Sequence, residues 1–63
     1  MRNFIAAIIR AGKRERRLSP RIRSAGTIAV RAGYARKIVL YWESGLVTPP
    51  LRAALDYLEA VRT

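Results

Sequence analysis

The chain has 63 residues with no Cys and no His, and its 13 Lys and Arg against 4 Asp and Glu give a formal charge of +9. A single domain of this length buries only about 60% of its unfolded surface, and it has neither disulfides nor the usual zinc ligands. Its four carboxylates, Glu15, Glu43, Asp56 and Glu59, are scattered, so we expect no metal site, no cofactor and no enzymatic activity.

The excess of positive charge is the strongest feature of the composition. The pI is near 11.6, and eleven of the thirteen basic residues are Arg, which pairs bidentately with phosphate and with guanine edges. A domain this basic usually meets a polyanion, so we expect nucleic acid as the partner. A basic accessory subunit of a large ribosomal, organellar or membrane complex stays open as an alternative, as does an anionic membrane surface. No apolar run reaches the roughly 18 residues of a spanning helix.

Residues 1–12 are predicted to form an N-terminal helix, which Gly12 either ends or only weakens. One side of this helix carries the apolar residues Phe4, Ile5, Ile8 and Ile9. Residues 13–23 are predicted to follow as a basic arm or linker, because Lys and Arg dominate them and Pro20 blocks a continuous helix. An arm lying on phosphates and a solvated linker both remain open for this segment.

The middle of the chain, residues 24–45, is predicted to hold two short helices joined by a glycine turn. Ser24 is a suitable N-cap for the first helix, and Gly33 can supply the positive φ of the turn. The second helix is expected to end at Gly45. Its predicted inward side chains are Ile38, Val39 and Trp42.

A final helix over residues 49–62 is predicted to begin at the Pro49–Pro50 pair, since proline is favoured in the first turn of a helix. Its predicted core stripe is Leu51, Ala54, Leu55, Leu58 and Val61. The chain is therefore predicted to be all-α, a small bundle of four helices that contains a helix-turn-helix.

Two short helices separated by one glycine have the layout of a helix-turn-helix, whose second helix enters the major groove of DNA. The outer face of that helix must be polar and basic, and Arg36, Lys37 and Tyr41 meet this need. Residues 35–44 are therefore predicted to read double-stranded DNA. Further predicted contacts to phosphates or base edges are Leu40, Arg31, Arg21, Arg23 and Thr27. Leu40 would touch a thymine methyl group or a partner protein, and the arginines would bind phosphates.

The stretch IAVRAGYARKIVLYWESG, followed by a proline and an apolar helix, resembles the phage-repressor (Cro-type) helix-turn-helix family. The resemblance covers about residues 24–61. The matching positions are Ser24, Ile28, Ala29, Gly33, Val39, Trp42, Glu43, Gly45 and Pro49. Ala25 stands where the family often has Gln, and Tyr34-Ala35 replaces the usual Val-Ser at the start of the second motif helix. The end of the chain is also similar to small phage-borne repressors, including anti-CRISPR-associated regulators.

The resemblance implies a sequence-specific transcriptional regulator, usually a repressor that binds a palindromic operator as a dimer. For Tyr57 and Val61, a dimer patch and a place in the core both remain open. Such a protein would lie on the nucleoid, in the cytoplasm of a bacterial or phage-infected cell. An organellar location is the alternative, because residues 1–23 have the composition of a transit peptide. A protein-binding inhibitor built on the same scaffold also remains open.

Glu43 stands beside the only Trp, near the predicted C-terminus of the second motif helix. The helix dipole disfavours a carboxylate at that end, so the position needs an offsetting interaction. We predict a salt bridge or hydrogen bond to a basic neighbour, either Arg52 or an arginine of residues 13–23. Trp42 is predicted to belong to the core.

Overall fold

A computed structural model describes residues 3–18 and 24–63, and this part of the chain contains four α-helices and no strand. The helices are α1 (Phe4–Leu18), α2 (Ala25–Ala32), α3 (Arg36–Ser44) and α4 (Leu51–Arg62). α1 packs mainly on α4, while α2 packs on both α3 and α4. The predicted all-α fold with four helices is therefore confirmed.

The N-terminal helix is longer than predicted. α1 begins after Asn3, whose side-chain oxygen accepts the backbone N–H of Ile5 at 3.1 Å. It then continues without a break through Gly12 to Leu18. The predicted helix end at residue 12 is therefore wrong, as is the predicted arm over residues 13–18. Residues 19–23, with the predicted phosphate contacts Arg21 and Arg23, lie outside the described residues.

Gly12 lies inside α1 because of packing. It is buried, and a Cβ added at this position would overlap the ring of Tyr57 on α4. Glycine in a helix interior costs about 1 kcal/mol relative to Ala. Here that cost is offset, because the missing side chain lets a Tyr ring lie against the α1 backbone.

The turns of the middle region follow the predicted local signals. The Ser24 hydroxyl accepts the backbone N–H of Thr27 at 3.1 Å, which caps α2. Gly33 has φ 84° and Gly45 has φ 82°, both in the left-handed region that glycine adopts at low cost. The N-cap, the glycine turn and the glycine end of α3 are therefore confirmed.

The core lies where α2, α3 and α4 meet beneath α1. Trp42 is buried there, as predicted, and stands edge-on to Tyr34 and Tyr57 with ring centroids 5.0 Å and 6.3 Å away. Such edge-to-face pairs add to the stabilisation from area burial. The buried hydrophobic residues are Ile9, Ala25, Ile28, Ala29, Val39, Trp42, Ala53, Ala54, Tyr57, Ala60 and Val61.

α4 buries only part of the predicted stripe: Ala54 and Val61 are buried, as predicted, but Leu51 and Leu55 are not. Leu51 and Leu55 are 42% and 47% exposed, whereas the buried side chains of α4 are Ala53, Ala54, Tyr57, Ala60 and Val61. Small Ala side chains permit close approach of the neighbouring helices, and the Tyr57 ring occupies the space over Gly12. The helix also begins two residues later than predicted, with Pro50 as its N-cap residue.

The residues predicted to form a dimer patch lie in the core. Tyr57 is 0% exposed and Val61 is 8% exposed within a single chain. Of the two roles left open for these side chains, the core is therefore confirmed and the dimer contact is wrong, because packing against α4's own neighbours already covers them. A dimer as such stays a prediction.

Candidate nucleic-acid interface

α3 is fixed in the bundle by its inner side chains. Val39 and Trp42 are its two buried residues, and they lie on one side of the helix. Ala35 is the N-cap residue and makes no side-chain hydrogen bond to the first turn, which also contains no acidic residue. The start of α3 therefore presents free backbone N–H groups and the positive end of the helix dipole beside its basic residues.

Arg36 connects the starts of α2 and α3. Its side chain crosses the first turn of α2, where its Cδ lies 3.5 Å from the position of a Cβ built on Gly26. The Ser24 hydroxyl lies 3.7 Å from the same point. Both distances are those of ordinary van der Waals contact, so the Arg36 side chain lies against the first turn of α2. Arg36 is exposed.

Lys37 and Tyr41 lie one turn apart on the outer side of α3. The Lys37 Nζ is 5.9 Å from the centroid of the Tyr41 ring, within range of a weak cation–π contact. Lys37 is exposed and Tyr41 is half-buried. The three residues predicted to form the reading face, Arg36, Lys37 and Tyr41, therefore all have accessible side chains on one short helix.

The two apolar side chains of α3 next to this face differ from their predicted roles. Leu40, predicted to point outward, is half-buried and packs against the core cluster. Ile38, predicted to face inward, is exposed. Val39 and Trp42 already fill the space in front of α3, so Ile38 is left on the surface. Of the two side chains, Ile38 is therefore the more exposed.

The two predicted contacts on α2 lie at opposite ends of that helix. Thr27 is exposed in the first turn, and its hydroxyl shares a 3.1 Å hydrogen bond with the Ser24 hydroxyl. Arg31 is exposed in the last turn, where its guanidinium donates to the backbone oxygen of Thr63 at 3.2 Å. Thr27 therefore lies on the same side as Arg36, whereas Arg31 is directed toward the end of α4.

The C-terminal end of α3 contains a polar network centred on Glu43. The Arg16 guanidinium donates to both carboxylate oxygens, at 2.9 Å from Nε and 2.7 Å from Nη2. The Tyr57 hydroxyl donates to the same carboxylate at 2.7 Å. The Glu43 side chain is only 5% exposed and that of Arg16 only 14%. The predicted basic partner is thus Arg16, from residues 13–23, while Arg52 pairs with Asp56 at 3.5 Å.

The network changes the acid–base properties of its members. The hydrogen bond to Glu43 raises the pKa of Arg16 above its usual value. Burial, and then the hydrogen bond to Glu43, raise the pKa of the Tyr57 phenol well above that of a free tyrosine. The hydrogen bond from Tyr57 to Glu43 was not predicted, and the sequence left Tyr57 open between a dimer patch and the core. No local pattern distinguishes it from the other apolar residues of that helix.

Comparison with family models, with curated proteins and with solved structures finds no match to this chain. In the described part of the chain, no helix combines the length and the apolar character needed to cross a bilayer. Within residues 3–18 and 24–63, no three acidic side chains lie close enough together to hold a metal ion.

Proposed function

We propose that this protein binds double-stranded DNA sequence-specifically, with α3 in the major groove, and acts as a transcriptional repressor. The observation that carries the proposal is the exposed basic start of α3, where Arg36 and Lys37 lie on a helix whose opposite side is fixed by Val39 and Trp42. The resemblance to phage repressors supports the regulatory role.

The geometry of α3 suits direct base readout. The major groove of B-DNA admits an α-helix, and Arg or Lys pairs with guanine O6 and N7 in the commonest specific contact. A short helix anchored by a buried Trp loses little further freedom on binding, which favours affinity. The net charge of +9 would add a sequence-independent attraction to phosphates.

The experiment begins with selection of bound duplexes from a random-sequence library, followed by affinity measurements on the selected site. R36A/K37A should weaken binding to that site by about 30-fold or more, since each base contact contributes about 1–3 kcal/mol of discrimination. The control is R52A/R62A on α4, which removes the same charge from two exposed side chains. It should weaken binding far less.

Repression is tested separately from binding, by placing the selected site between a promoter and a reporter gene. The protein should lower reporter output, and R36A/K37A should restore it. If no duplex is preferred over random sequence at any salt concentration, the proposal is wrong. Equal losses for R36A/K37A and R52A/R62A would also contradict it, because the effect would then come from net charge alone.

A dimer on a two-fold operator belongs to the same proposal. Because Tyr57 and Val61 are buried, the contact between two copies has to use another surface. An inverted repeat in the selected sequence, with half-sites about one helical turn apart, would support a dimer. A selected sequence without internal symmetry would support a single copy on each site.

A further inference from the structure

A second group of basic side chains lies on α1, away from the start of α3. Arg10, Lys13, Arg14 and Arg17 follow the spacing i, i+3, i+4 and i+7, which places them on one face over two helical turns. Together with Leu18 and Glu43 they line an open groove of about 760 Å³. We call the four basic residues the α1 stripe. Arg10 was not among the predicted contacts, and the other three residues were predicted to lie in a basic arm or linker.

Within the described residues, no carboxylate neutralises the α1 stripe. The ion pairs there are Arg16–Glu43, Arg52–Asp56 and Arg62–Glu15. Glu43, the one acid that lines the groove, already accepts two hydrogen bonds from Arg16 and one from Tyr57. Arg10, Arg14 and Arg17 are exposed, so the groove presents positive charge to solvent.

The helical register of α1 keeps the charges of the α1 stripe on the outer face of the helix. In α1, Arg16 faces inward and forms the buried pair, while its neighbours Arg14 and Arg17 face outward. Like charges at i, i+4, such as Arg10 with Arg14, repel each other and destabilise a helix. An anionic ligand along the stripe would relieve that repulsion.

We propose that the α1 stripe binds the phosphate backbone of duplex DNA, as a site separate from the base-reading face of α3. The guanidinium groups of three arginines can each take a phosphate bidentately. The choice of DNA as the partner rests on the proposed function. The existence of a polyanion site rests only on the stripe and its groove.

The remainder of α1 disfavours the two other classes of anionic partner. A membrane-surface helix needs a free apolar face, but Ile9 of α1 is buried and Ile5 and Ile8 pack against the core. Phe4 and Leu18 are exposed, but they stand at opposite ends of the helix. An acidic amphipathic peptide needs an apolar strip beside the charges, and among the described residues Leu18 is the one large apolar side chain that lines the groove.

The stripe lies near the opposite end of α3 from the base-reading residues. Lys13 Nζ donates to the backbone oxygen of Glu43 at 3.5 Å, which places the stripe beside the C-terminal end of α3. Arg36 is seven residues earlier, about 10 Å along the helix axis. The two basic surfaces therefore lie toward the two ends of α3. The stripe would add phosphate contacts that carry no sequence information.

The test compares R14A/R17A with the charge-matched control R52A/R62A, on the selected site and on a random-sequence duplex of the same length. Each phosphate contact contributes about 0.9 to the slope of log K against log salt. R14A/R17A should therefore reduce the slope by up to about 1.8 on both duplexes, and leave the ratio of the two affinities unchanged. The control should change the slope much less. Ala is a strong helix former and both arginines are exposed, so α1 should be retained.

Several outcomes decide the inference independently of the proposed function. Equal slopes for R14A/R17A and R52A/R62A overturn it, even where sequence preference is intact. If R36A/K37A still binds random duplex, and adding R14A/R17A abolishes that binding, the inference is supported even if no preferred sequence exists.

The inference is also overturned if R14A/R17A abolishes binding to vesicles of equal parts phosphatidylcholine and phosphatidylglycerol but leaves duplex binding unchanged. Absence of any duplex binding by the wild-type protein at low salt overturns both proposals. If R14A/R17A does not fold by circular dichroism, R10A/R17A takes its place with the same expectations.

Discussion

The two ends of α3 differ in how their polar groups are satisfied. At the C-terminal end, Glu43 receives hydrogen bonds from α1 and α4 and is nearly excluded from solvent. At the N-terminal end, Ala35 provides no side-chain cap and Arg36 and Lys37 are exposed. One end is therefore fixed by interactions within the chain, and the other has side chains available to a ligand.

Under the proposed function, this difference separates the residues that stabilise the fold from those that bind DNA along a helix of nine residues. A buried charge is tolerated only when it is paired and its hydrogen bonds are complete. The described residues contain no buried side-chain nitrogen or oxygen without a partner, so the network meets that condition. The exposed end has no such requirement, and its residues can be selected for what they bind.

The largest expected effect comes from E43A, which removes the centre of the fixed end. It leaves the Arg16 guanidinium in a largely buried position without its carboxylate, and the Tyr57 hydroxyl without its acceptor. Removing one partner of a buried pair costs about 3–5 kcal/mol. A chain of 63 residues has a total stability of about 3–9 kcal/mol, so E43A should lose at least about a third of it, and all of it where the stability lies at the low end of that range.

Urea unfolding followed by circular dichroism measures this loss. The control is E59A, which removes an exposed carboxylate from α4 and should change the free energy of unfolding by less than about 0.5 kcal/mol. If E43A and E59A lose the same stability, the network does not fix the end of α3 and the contrast between the two ends is wrong.

A smaller loss is expected from Y57F, which removes one hydrogen bond of the network and keeps the ring over Gly12. Loss of a hydrogen bond to a charged group costs about 1.5–3 kcal/mol, partly offset because Arg16 still holds Glu43. Thermal unfolding at neutral pH should show a lower melting temperature than that of the wild-type protein, but Y57F should still be folded.

The same variant tests the pH dependence. The pKa of Tyr57 is raised in the folded state by burial, and an unfolded tyrosine titrates near pH 10. The folded chain therefore favours the protonated phenol, and this stabilisation is complete below about pH 10 and is lost as the pH rises above it. Wild-type stability should fall more steeply than that of Y57F above pH 10. The control Y34F keeps Tyr57, so its stability should fall above pH 10 nearly as steeply as that of the wild-type protein. Parallel curves for wild type and Y57F would show that Tyr57 is not the responsible group.

Local signals predicted the middle of the chain well, because each acts within a few residues. Ser24 caps the helix that follows it, and Gly33 and Gly45 adopt positive φ in turns that no other residue type forms as easily. The exposure of Arg36 and Lys37 was predictable for the same reason, since the buried side of a short helix leaves them outside.

Features that depend on distant residues were not predictable. The helix was predicted to end at residue 12 because the contact of Gly12 with the Tyr57 ring is not visible in the sequence, where the two residues are far apart. The choice of Arg16 as the partner of Glu43 depends on the helical register of α1 through Gly12. The burial of Ala53, Tyr57 and Ala60 in place of Leu51 and Leu55 likewise follows from the space that the neighbouring helices leave, which hydrophobicity along α4 does not encode.

The smallest expected effect on stability comes from K37A at the exposed end of α3. Lys37 forms no salt bridge among the described residues, and its contact with Tyr41 is long at 5.9 Å. Its removal should change the free energy of unfolding by less than about 0.5 kcal/mol. The affinity for the selected duplex should nevertheless fall by about 5-fold or more, the low end for one lost base contact. Urea unfolding and duplex titration on the same protein preparation measure both quantities. A stability loss above about 1 kcal/mol would mean that the start of α3 also supports the fold, and the separation of stability from binding along α3 would then fail.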